Sequence, residues 1–152
     1  MLFNWSLLKD SILKIVYISD SIVKTNIVKE YMDSKFSPKL RDVLSYSREE
    51  AIRMGNDFIG PEHIFLGILR DGEGVAIEIL HGLGVDFYEL KKSIEAEIKE
   101  DQILDSGASI QLLKTTEKTL KLVYLEARSM GNAAVNTGHL LLALLKDEKT
   151  FL

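Results

Sequence analysis

The spacing of apolar residues from Phe36 onwards predicts a series of helices joined by short turns. Ser37 followed by Pro38 is typical of an N-cap with proline in the first helical turn. The positions on one face of this first helix, which are apolar except for Ser47, recur every three or four residues until Gly55, where the helix is expected to end. These positions are Leu40, Val43, Leu44, Ser47, Ala51 and Met54.

Three further helices follow from the same kind of signal. Gly60 and Pro61 start the second helix, whose apolar face is Ile64, Phe65, Ile68 and Leu69. The third helix runs from about Val75 to His81, and Asp86 caps the fourth. No segment shows sustained alternation of apolar and polar residues, so we expect an all-α fold with essentially no sheet.

The segment 1–35 forms a separate extension. Apolar residues recur there at helical spacing, and they include Trp5, Leu8, Ile12 and Ile22. A β-branched cluster at 15–18 weakens the helix prediction. The extension is therefore expected to be helical, or else residues 1–31 precede a natural start at Met32.

Composition limits the function classes that need to be considered. The formal charge is −4, which argues against a nucleic-acid-binding arm because phosphate contacts need clustered Lys and Arg. The absence of cysteine excludes disulfides, thiolate nucleophiles and Cys-based zinc sites. Charged residues interrupt every apolar run before it reaches the roughly 20 residues that a bilayer requires. We therefore expect a cytoplasmic protein that binds neither nucleic acid nor membrane.

The chain repeats itself with a constant offset and without a gap. The sequence of Glu50–Asn56, EAIRMGN, recurs as EARSMGN at Glu126–Asn132. The sequence of His63–Asp71, HIFLGILRD, recurs as HLLLALLKD at His139–Asp147. This self-similarity predicts two tandem, pseudo-symmetric helical repeats whose apolar faces pack together.

Three positions in each copy carry structural parts of the unit. They are Gly55, His63 and Leu66 in the first copy and Gly131, His139 and Leu142 in the second. Both glycines stand where a helix must end, and glycine adopts a positive φ there at little cost. Both histidines are expected to bond a backbone group rather than act as ligand or base, because repeats reproduce structural parts. Both leucines, with Leu69 and Leu145, are expected on a buried helix face.

The repeat also sets the expected domain boundaries. The segment 36–98 forms the first copy, the polar segment 99–111 is a linker, and the segment 112–152 forms the second copy. The first copy continues beyond Asp71 through its third and fourth helices, whereas the sequence ends at Leu152, shortly after Asp147. The second copy is therefore expected to be incomplete. Either the chain is truncated there, or the extension over 1–35 supplies the missing packing.

Some acidic, glycine and histidine residues could instead indicate a hydrolytic site, a phosphate-binding loop or a metal site. Glu49 and Glu50, with Glu62, might form a hydrolytic acid pair, but adjacent helical residues point about 100° apart. We expect these acids to lie on a solvated face. Gly72–Gly74 lacks the lysine of a phosphate loop and is better interpreted as a turn. The histidines lack metal-ligand spacing, so no metal site is expected.

An ordered series of motifs resembles the repeat domain at the N-terminus of Clp-type AAA+ unfoldases, in particular the ClpC type. The resemblance covers Phe36 to about Leu145, roughly three quarters of the chain. Its motifs are Phe36-Ser37, Glu49-Glu50-Ala51, Gly60-Pro61-Glu62-His63 through Leu69, Asp71 through Ala76, and Leu83-Gly84-Val85.

The resemblance implies a domain of two four-helix repeats that binds adaptor proteins and unfolded or tagged substrates. In a full-length parent, it would be attached to a hexameric AAA+ ring that works with a Clp peptidase. The present sequence contains no G-x-x-x-x-G-K-[ST] phosphate loop, so this chain alone should not hydrolyse ATP. No cofactor is expected.

Some members of this family bind phosphorylated arginine through Gly-Thr-Glu-His at the start of the second helix of each repeat. The first copy has Pro61 in place of the threonine and keeps Glu62, whereas the second keeps Thr137 and has Gly138 in place of the glutamate. A carboxylate pairs with a guanidinium, and the amides of a helix start favour a phosphate. The tentative binding residues are therefore Glu62, Pro61 and Thr137, with the first copy the stronger candidate.

Three functions remain open at this point. The leading hypothesis is a recognition domain that delivers proteins to a Clp ATPase for unfolding and degradation. The second is a stand-alone adaptor or decoy without an ATPase of its own. The third, from a different class, is a small hydrolase that uses Glu62 and His63.

Overall fold

The computed structural model describes residues 36–146. They form six helices and two short strands, in the order α1 Pro38–Arg53, β1 Phe58–Ile59, α2 Pro61–Asp71, α3 Val75–Gly82, α4 Phe87–Ile98, β2 Gln111–Leu112, α5 Lys114–Ser129 and α6 Thr137–Lys146. The predicted all-α fold is confirmed. The expected helical extension over 1–35 lies outside the described residues, as does the segment 147–152.

Helix starts follow from local chemistry. The Ser37 hydroxyl oxygen accepts a hydrogen bond from the Leu40 N–H at 3.2 Å, which caps α1. The Asp86 carboxylate accepts one from the Glu89 N–H at 3.1 Å and caps α4. Proline occupies the first turn of both α1 and α2, where its missing N–H costs nothing. Both predicted caps are confirmed.

The two copies place their helices at matched positions of the repeat. Helix α1 and its counterpart α5 have the same length, 16 residues each, and they start and end at equivalent positions. Helices α2 and α6 likewise start at equivalent positions, Pro61 and Thr137. The core lies between the α1–α2 pair and the α5–α6 pair. Its most completely buried side chains are Leu40, Val43, Ile64, Leu66, Ile68, Val123, Val135, Leu140 and Leu144.

Short strand pairings join the two copies. Strand β1 pairs in parallel with β2, so that Ile59 faces Leu112. An isolated parallel bridge joins Phe36 to Val135. The expectation of essentially no sheet therefore holds except for these few residues, which connect segments that are distant in the chain.

The second copy buries its leucines less completely than the sequence predicted. Leu66 is buried, but its counterpart Leu142 is only partly buried, and Leu145 is 58% exposed. In the first copy, helix α4 packs against α2. Among the described residues, no equivalent helix follows α6. The prediction of a buried Leu145 was therefore wrong because the matching cover is missing from this part of the chain.

Glu50 lies in the core and not on a solvated face, which corrects the prediction made for it. Glu50 is 3% exposed, whereas its neighbour Glu49 is exposed. The reason is its helical register, since Glu50 follows Val43 and Ser47 on the buried side of α1. Arg53 and Arg70 both donate to its carboxylate, and these bonds compensate for burying the charge.

The polar segment after α4 is anchored along α1. The Glu100 N–H donates to the Met54 carbonyl at 2.8 Å, near the end of α1. Further along, the Arg48 guanidinium donates to the carbonyl oxygens of Ser106 at 3.1 Å and Ala108 at 2.7 Å. The segment therefore runs back along α1 and delivers the chain to β2.

None of the described helices is long and apolar enough to span a membrane.

Candidate functional site

A histidine holds the first turn of α2 and of α6 in the same way. The Gly60 N–H donates to Nδ1 of His63 at 2.9 Å, and the Asn136 N–H donates to Nδ1 of His139 at 3.0 Å. The imidazole ring thus takes the place that a glutamate or glutamine side chain takes in a capping box. Both helix starts are fixed by a side chain from within the first turn.

The second ring nitrogen of each histidine bonds an asparagine at the end of the preceding helix. His63 Nε2 lies 2.8 Å from Asn56 Oδ1, and His139 Nε2 lies 3.2 Å from the side-chain amide of Asn132. Because Nδ1 of His63 accepts a backbone N–H, its Nε2 carries the proton and donates to Asn56 Oδ1. Each histidine therefore ties a helix start to the preceding helix end.

Both histidines are electrically neutral at pH 7. Burial lowers the pKa of His63 to about 4, although the nearby Glu50 carboxylate acts in the opposite direction. Burial also lowers the pKa of His139, with Glu126 opposing. His63 is fully buried, and both of its ring nitrogens are engaged. It therefore has no nitrogen left to act as a general base.

The start of α2 presents the Glu62 carboxylate. Glu62 is partly exposed, and its Oε2 lies 2.8 Å from the position that a Cβ on Gly60 would occupy. Leu113 Cδ1 lies 3.5 Å from the same position, so an apolar side chain and the carboxylate both lie beside Gly60. This arrangement can accept a cationic head group at Glu62 and an aliphatic stem at Leu113.

The same helix start offers little to an anion. Pro61 has no N–H, and the N–H groups of His63 and Ile64 both donate to the Gly60 carbonyl. Within the first turn, this leaves the Glu62 N–H to face a ligand. A phosphate would therefore find fewer amide donors here than at an ordinary helix start.

Thr137 lies at the other helix start and is not exposed. It is 1% exposed, and its hydroxyl oxygen accepts a hydrogen bond from the Ala76 N–H at 3.2 Å. The structure thus brings Glu62 and Pro61 together at α2 and places Thr137 at α6 in a contact with α3.

Sequence reasoning missed two participants in these sites. Leu113 and Glu62 both lie beside Gly60, although they belong to different copies of the repeat. Ala76 bonds Thr137 across a similar separation in the chain. The repeat offset offered a signal for Leu113, since Leu113 is the counterpart of the helix-capping Ser37. No local pattern marks Ala76.

The family comparison covers most of the chain. The model of the Clp repeat (R) N-terminal domain matches residues 35–152. Among curated proteins, the negative regulator of genetic competence ClpC/MecB of Bacillus subtilis (strain 168) is 35% identical over 116 residues. The matched region covers 76% of this chain but 14% of that protein, so the chain spans a small part of its relative.

Solved structures share the fold. The N-domain of ClpV from Vibrio cholerae superposes with a TM-score of 0.70 at 17% identity, covering 81% of this chain and 74% of that chain. A complex of a ClpV N-domain with a VipB peptide gives a TM-score of 0.68 at 15% identity, covering 81% and 75%. At these identities the likeness concerns the fold, and the peptide is a ligand of that ClpV domain.

Proposed function

Because this chain belongs to the Clp repeat (R) N-terminal domain family, we propose that it is a non-catalytic module that recognises adaptors and substrates for a Clp unfoldase. Its ligands are adaptor proteins and unfolded or tagged polypeptides. In a longer parent, the module serves a hexameric AAA+ ring and its Clp peptidase in the cytoplasm. The peptide complex of the ClpV N-domain supports a protein-binding role for this fold.

The observation that carries the proposal is the helix start at Glu62. It presents a partly exposed carboxylate beside the apolar side chain of Leu113 on a turn that His63 holds rigid. A carboxylate next to an apolar surface suits the guanidinium and aliphatic stem of an arginine, whether or not the arginine is phosphorylated. Binding at such a site is modest, which suits a receptor that must release what it captures.

The geometry disfavours the hydrolase hypothesis. A general base needs a nitrogen within reach of a substrate proton, and both nitrogens of His63 are in hydrogen bonds inside the fold. Glu62 alone offers a carboxylate without a nucleophile beside it. A binding role uses the same residues without requiring any of them to leave its partner.

Amide NMR with matched peptides tests the proposal. A peptide with one phosphoarginine and the same peptide with arginine are titrated into the labelled chain, followed by carboxymethylated lactalbumin as an unfolded protein. We expect peptide-dependent shifts at Glu62, His63 and Leu113. Glu62→Gln should weaken binding about tenfold, since a charge-assisted pair contributes about 1.5 kcal/mol. The exposed Glu97→Gln on α4 is the matched control.

A second variant reports on the phosphate. Pro61→Thr restores the Gly-Thr-Glu-His sequence and supplies an N–H and a hydroxyl. The ratio of the affinities for the phosphorylated and the plain peptide should be about tenfold larger in Pro61→Thr than in the natural chain. If neither peptide nor lactalbumin shifts any amide in the natural chain, the recognition proposal is wrong.

The stand-alone adaptor or decoy would use the same surface. It differs from the leading proposal only in whether the natural protein continues into a phosphate-loop ATPase. Sequencing the transcript across the codon for Leu152 distinguishes the two.

A further inference from the structure

Large apolar side chains that are exposed cluster on α3 and shortly after it. Among the described residues, nine such side chains are exposed, and four of them lie between positions 75 and 88. They are Val75, Ile79, Leu83 and Tyr88, which are 39%, 44%, 74% and 71% exposed. Single apolar side chains on a surface are ordinary, whereas a cluster of them is typical of an interaction site.

Three of these side chains form one stripe along α3. Val75, Ile79 and Leu83 are four residues apart and therefore lie on the same side of the helix, which Leu83 ends as its C-cap. Val75 also packs against Gly138, since a Cβ on that glycine would lie 2.6 Å from Val75 Cγ1. The part of the stripe that is left for a partner is therefore Ile79 and Leu83.

The backbone of α3 is open to a second helix beside the stripe. Helix α3 makes its core contacts through Ala76 and Leu80, which leaves the stripe free. At about 100° per residue, Gly82 lies between Ile79 and Glu78 around the helix. A Cβ on Gly82 would meet no heavy atom within 4 Å. A partner can therefore approach the backbone closely at this glycine.

The chain around the stripe is acidic. Residues 71–90 contain five Asp and Glu residues and no Lys or Arg. Lys39 pairs with two of these acids, Asp71 and Glu73. The other three carboxylates take part in no ion pair within the described part of the chain, and they belong to Glu78, Asp86 and Glu89. This charge repels nucleic acids and anionic membranes and favours a cationic partner.

An open cleft borders the stripe at Glu78. Its volume is about 510 Å³, and its lining residues are Gly72, Glu73, Gly74, Ile77, Glu78 and His81. Ile77 offers an apolar wall to the aliphatic stem of a Lys or Arg side chain, and the Glu78 carboxylate can pair with the cationic end. The cleft therefore fits a basic side chain that projects from a partner lying on the stripe.

We propose that α3 docks an amphipathic helix of a partner protein. The apolar side of that helix packs on Ile79 and Leu83, and one of its Lys or Arg side chains enters the cleft beside Glu78. This inference goes beyond the function proposed above, because it uses neither Glu62 nor Leu113. Docking at α3 and recognition of arginine at Glu62 can therefore fail independently of each other.

The probe is a synthetic peptide of roughly 18 residues in which leucine recurs at helical spacing and lysine fills the flanks. One control peptide carries glutamate at every lysine position, and another has the same composition without the helical spacing. When titrated into the labelled full chain, the leucine–lysine peptide should shift the amides of Ile79, Gly82 and Leu83. It should bind at least about tenfold more tightly than either control. Equal binding of all three peptides, or shifts confined to other parts of the chain, would overturn the proposal.

Variants of the chain separate docking from folding. Gly82→Lys places bulk and a like charge under the partner helix, while lysine is a better helix former than glycine. We expect it to weaken the leucine–lysine peptide at least about tenfold without lowering the midpoint of urea unfolding. Ala96→Lys, which adds the same charge at an exposed position near the end of α4, is the matched control. Undiminished binding in Gly82→Lys, or an equal loss in Ala96→Lys, would contradict docking at α3.

Self-association is the competing explanation for the exposed stripe, and sedimentation of the natural chain over a range of concentrations tests it. We expect a monomer throughout. A dimer that Gly82→Lys abolishes would show that a second copy of this chain occupies the stripe, which would overturn the proposal of a separate partner.

Discussion

The backbone N–H of Ser37 donates to the carbonyl oxygen of Val135 at 3.0 Å, which ties the start of the first copy to the second. The equivalent bond forms at the start of the second copy, where the Leu113 N–H donates to the Ile59 carbonyl at 3.1 Å. In each copy, the residue before the first helix therefore bonds the segment that precedes the second helix of the other copy. The two bonds are equivalent, so the segment before the first helix of each copy is held by a hydrogen bond to the other copy.

The two helix-ending glycines differ in what surrounds them, which gives a matched pair of variants. Gly55 has a φ of +81°, and a Cβ there would lie 2.5 Å from the Gln102 carbonyl oxygen. Gly131 has a φ of +72°, with no heavy atom within 4 Å of such a Cβ. Gly131→Ala should cost about 1 kcal/mol of unfolding free energy from backbone strain.

Gly55→Ala adds a clash to that strain and should cost about 3 kcal/mol or more. Urea denaturation of the three proteins gives both values. Equal losses in the two variants would show that the segment from Glu100 to Gln102 does not press on the end of α1.

Glu50→Gln tests the buried carboxylate against its exposed neighbour. The change removes the charge that Arg53 and Arg70 share while keeping the shape, and we expect a loss of about 2–3 kcal/mol. That figure is below the full range for a buried pair because both arginines are partly exposed. Glu49→Gln should change the unfolding free energy by less than about 0.5 kcal/mol. Similar losses in both variants would contradict a buried role for Glu50.

The sequence predicted those parts of the fold that depend on neighbouring residues. The caps at Ser37 and Asp86 and the turn before Pro61 follow from side chains within a few positions of one another. The burial of Glu50 could have been inferred from its register with Val43, but its compensating partner Arg70 lies on another helix. Periodicity carries no information about such a partner.

Contacts between the two copies could not be predicted from the sequence either, because local patterns carry no information about partners that are distant in the chain. The pairing of Ile59 with Leu112 and the bond from Ala76 to Thr137 join segments that belong to different copies of the repeat. Sequence motifs nominated Thr137 as a ligand residue because they record which residue types recur. They do not record whether another helix already occupies the site.

Arg48→Ala should loosen the anchored segment without unfolding the domain. Its guanidinium donates hydrogen bonds to the carbonyl oxygens of Ser106 and Ala108, and water molecules can donate these bonds in the variant. We expect amide exchange at Ala108 to accelerate about tenfold, with a loss of global stability below about 1 kcal/mol. Arg41→Ala, at an exposed position on the same helix, is the control. Unchanged exchange at Ala108 would mean that Arg48 does not anchor the segment.

Acid should destabilise the domain through the two histidines. The unfolded chain takes up a proton on His63 near its ordinary pKa of 6.5, whereas the folded chain does so only at about 4. The stability that the neutral ring contributes is therefore complete above pH 6.5 and is lost as the pH falls towards 4. For His63 this amounts to roughly 3 kcal/mol, and His139, whose pKa is also lowered, adds in the same direction.

His63→Gln separates this effect from the general protonation of carboxylates. Glutamine at this position can still accept the Gly60 N–H in a capping box, but it does not titrate. The unfolding free energies of both proteins are measured with urea at pH 7, 6, 5 and 4. The two values should converge as the pH falls, because only the natural chain loses the histidine contribution. Parallel curves would show that the imidazole of His63 is already free to take up a proton in the folded state.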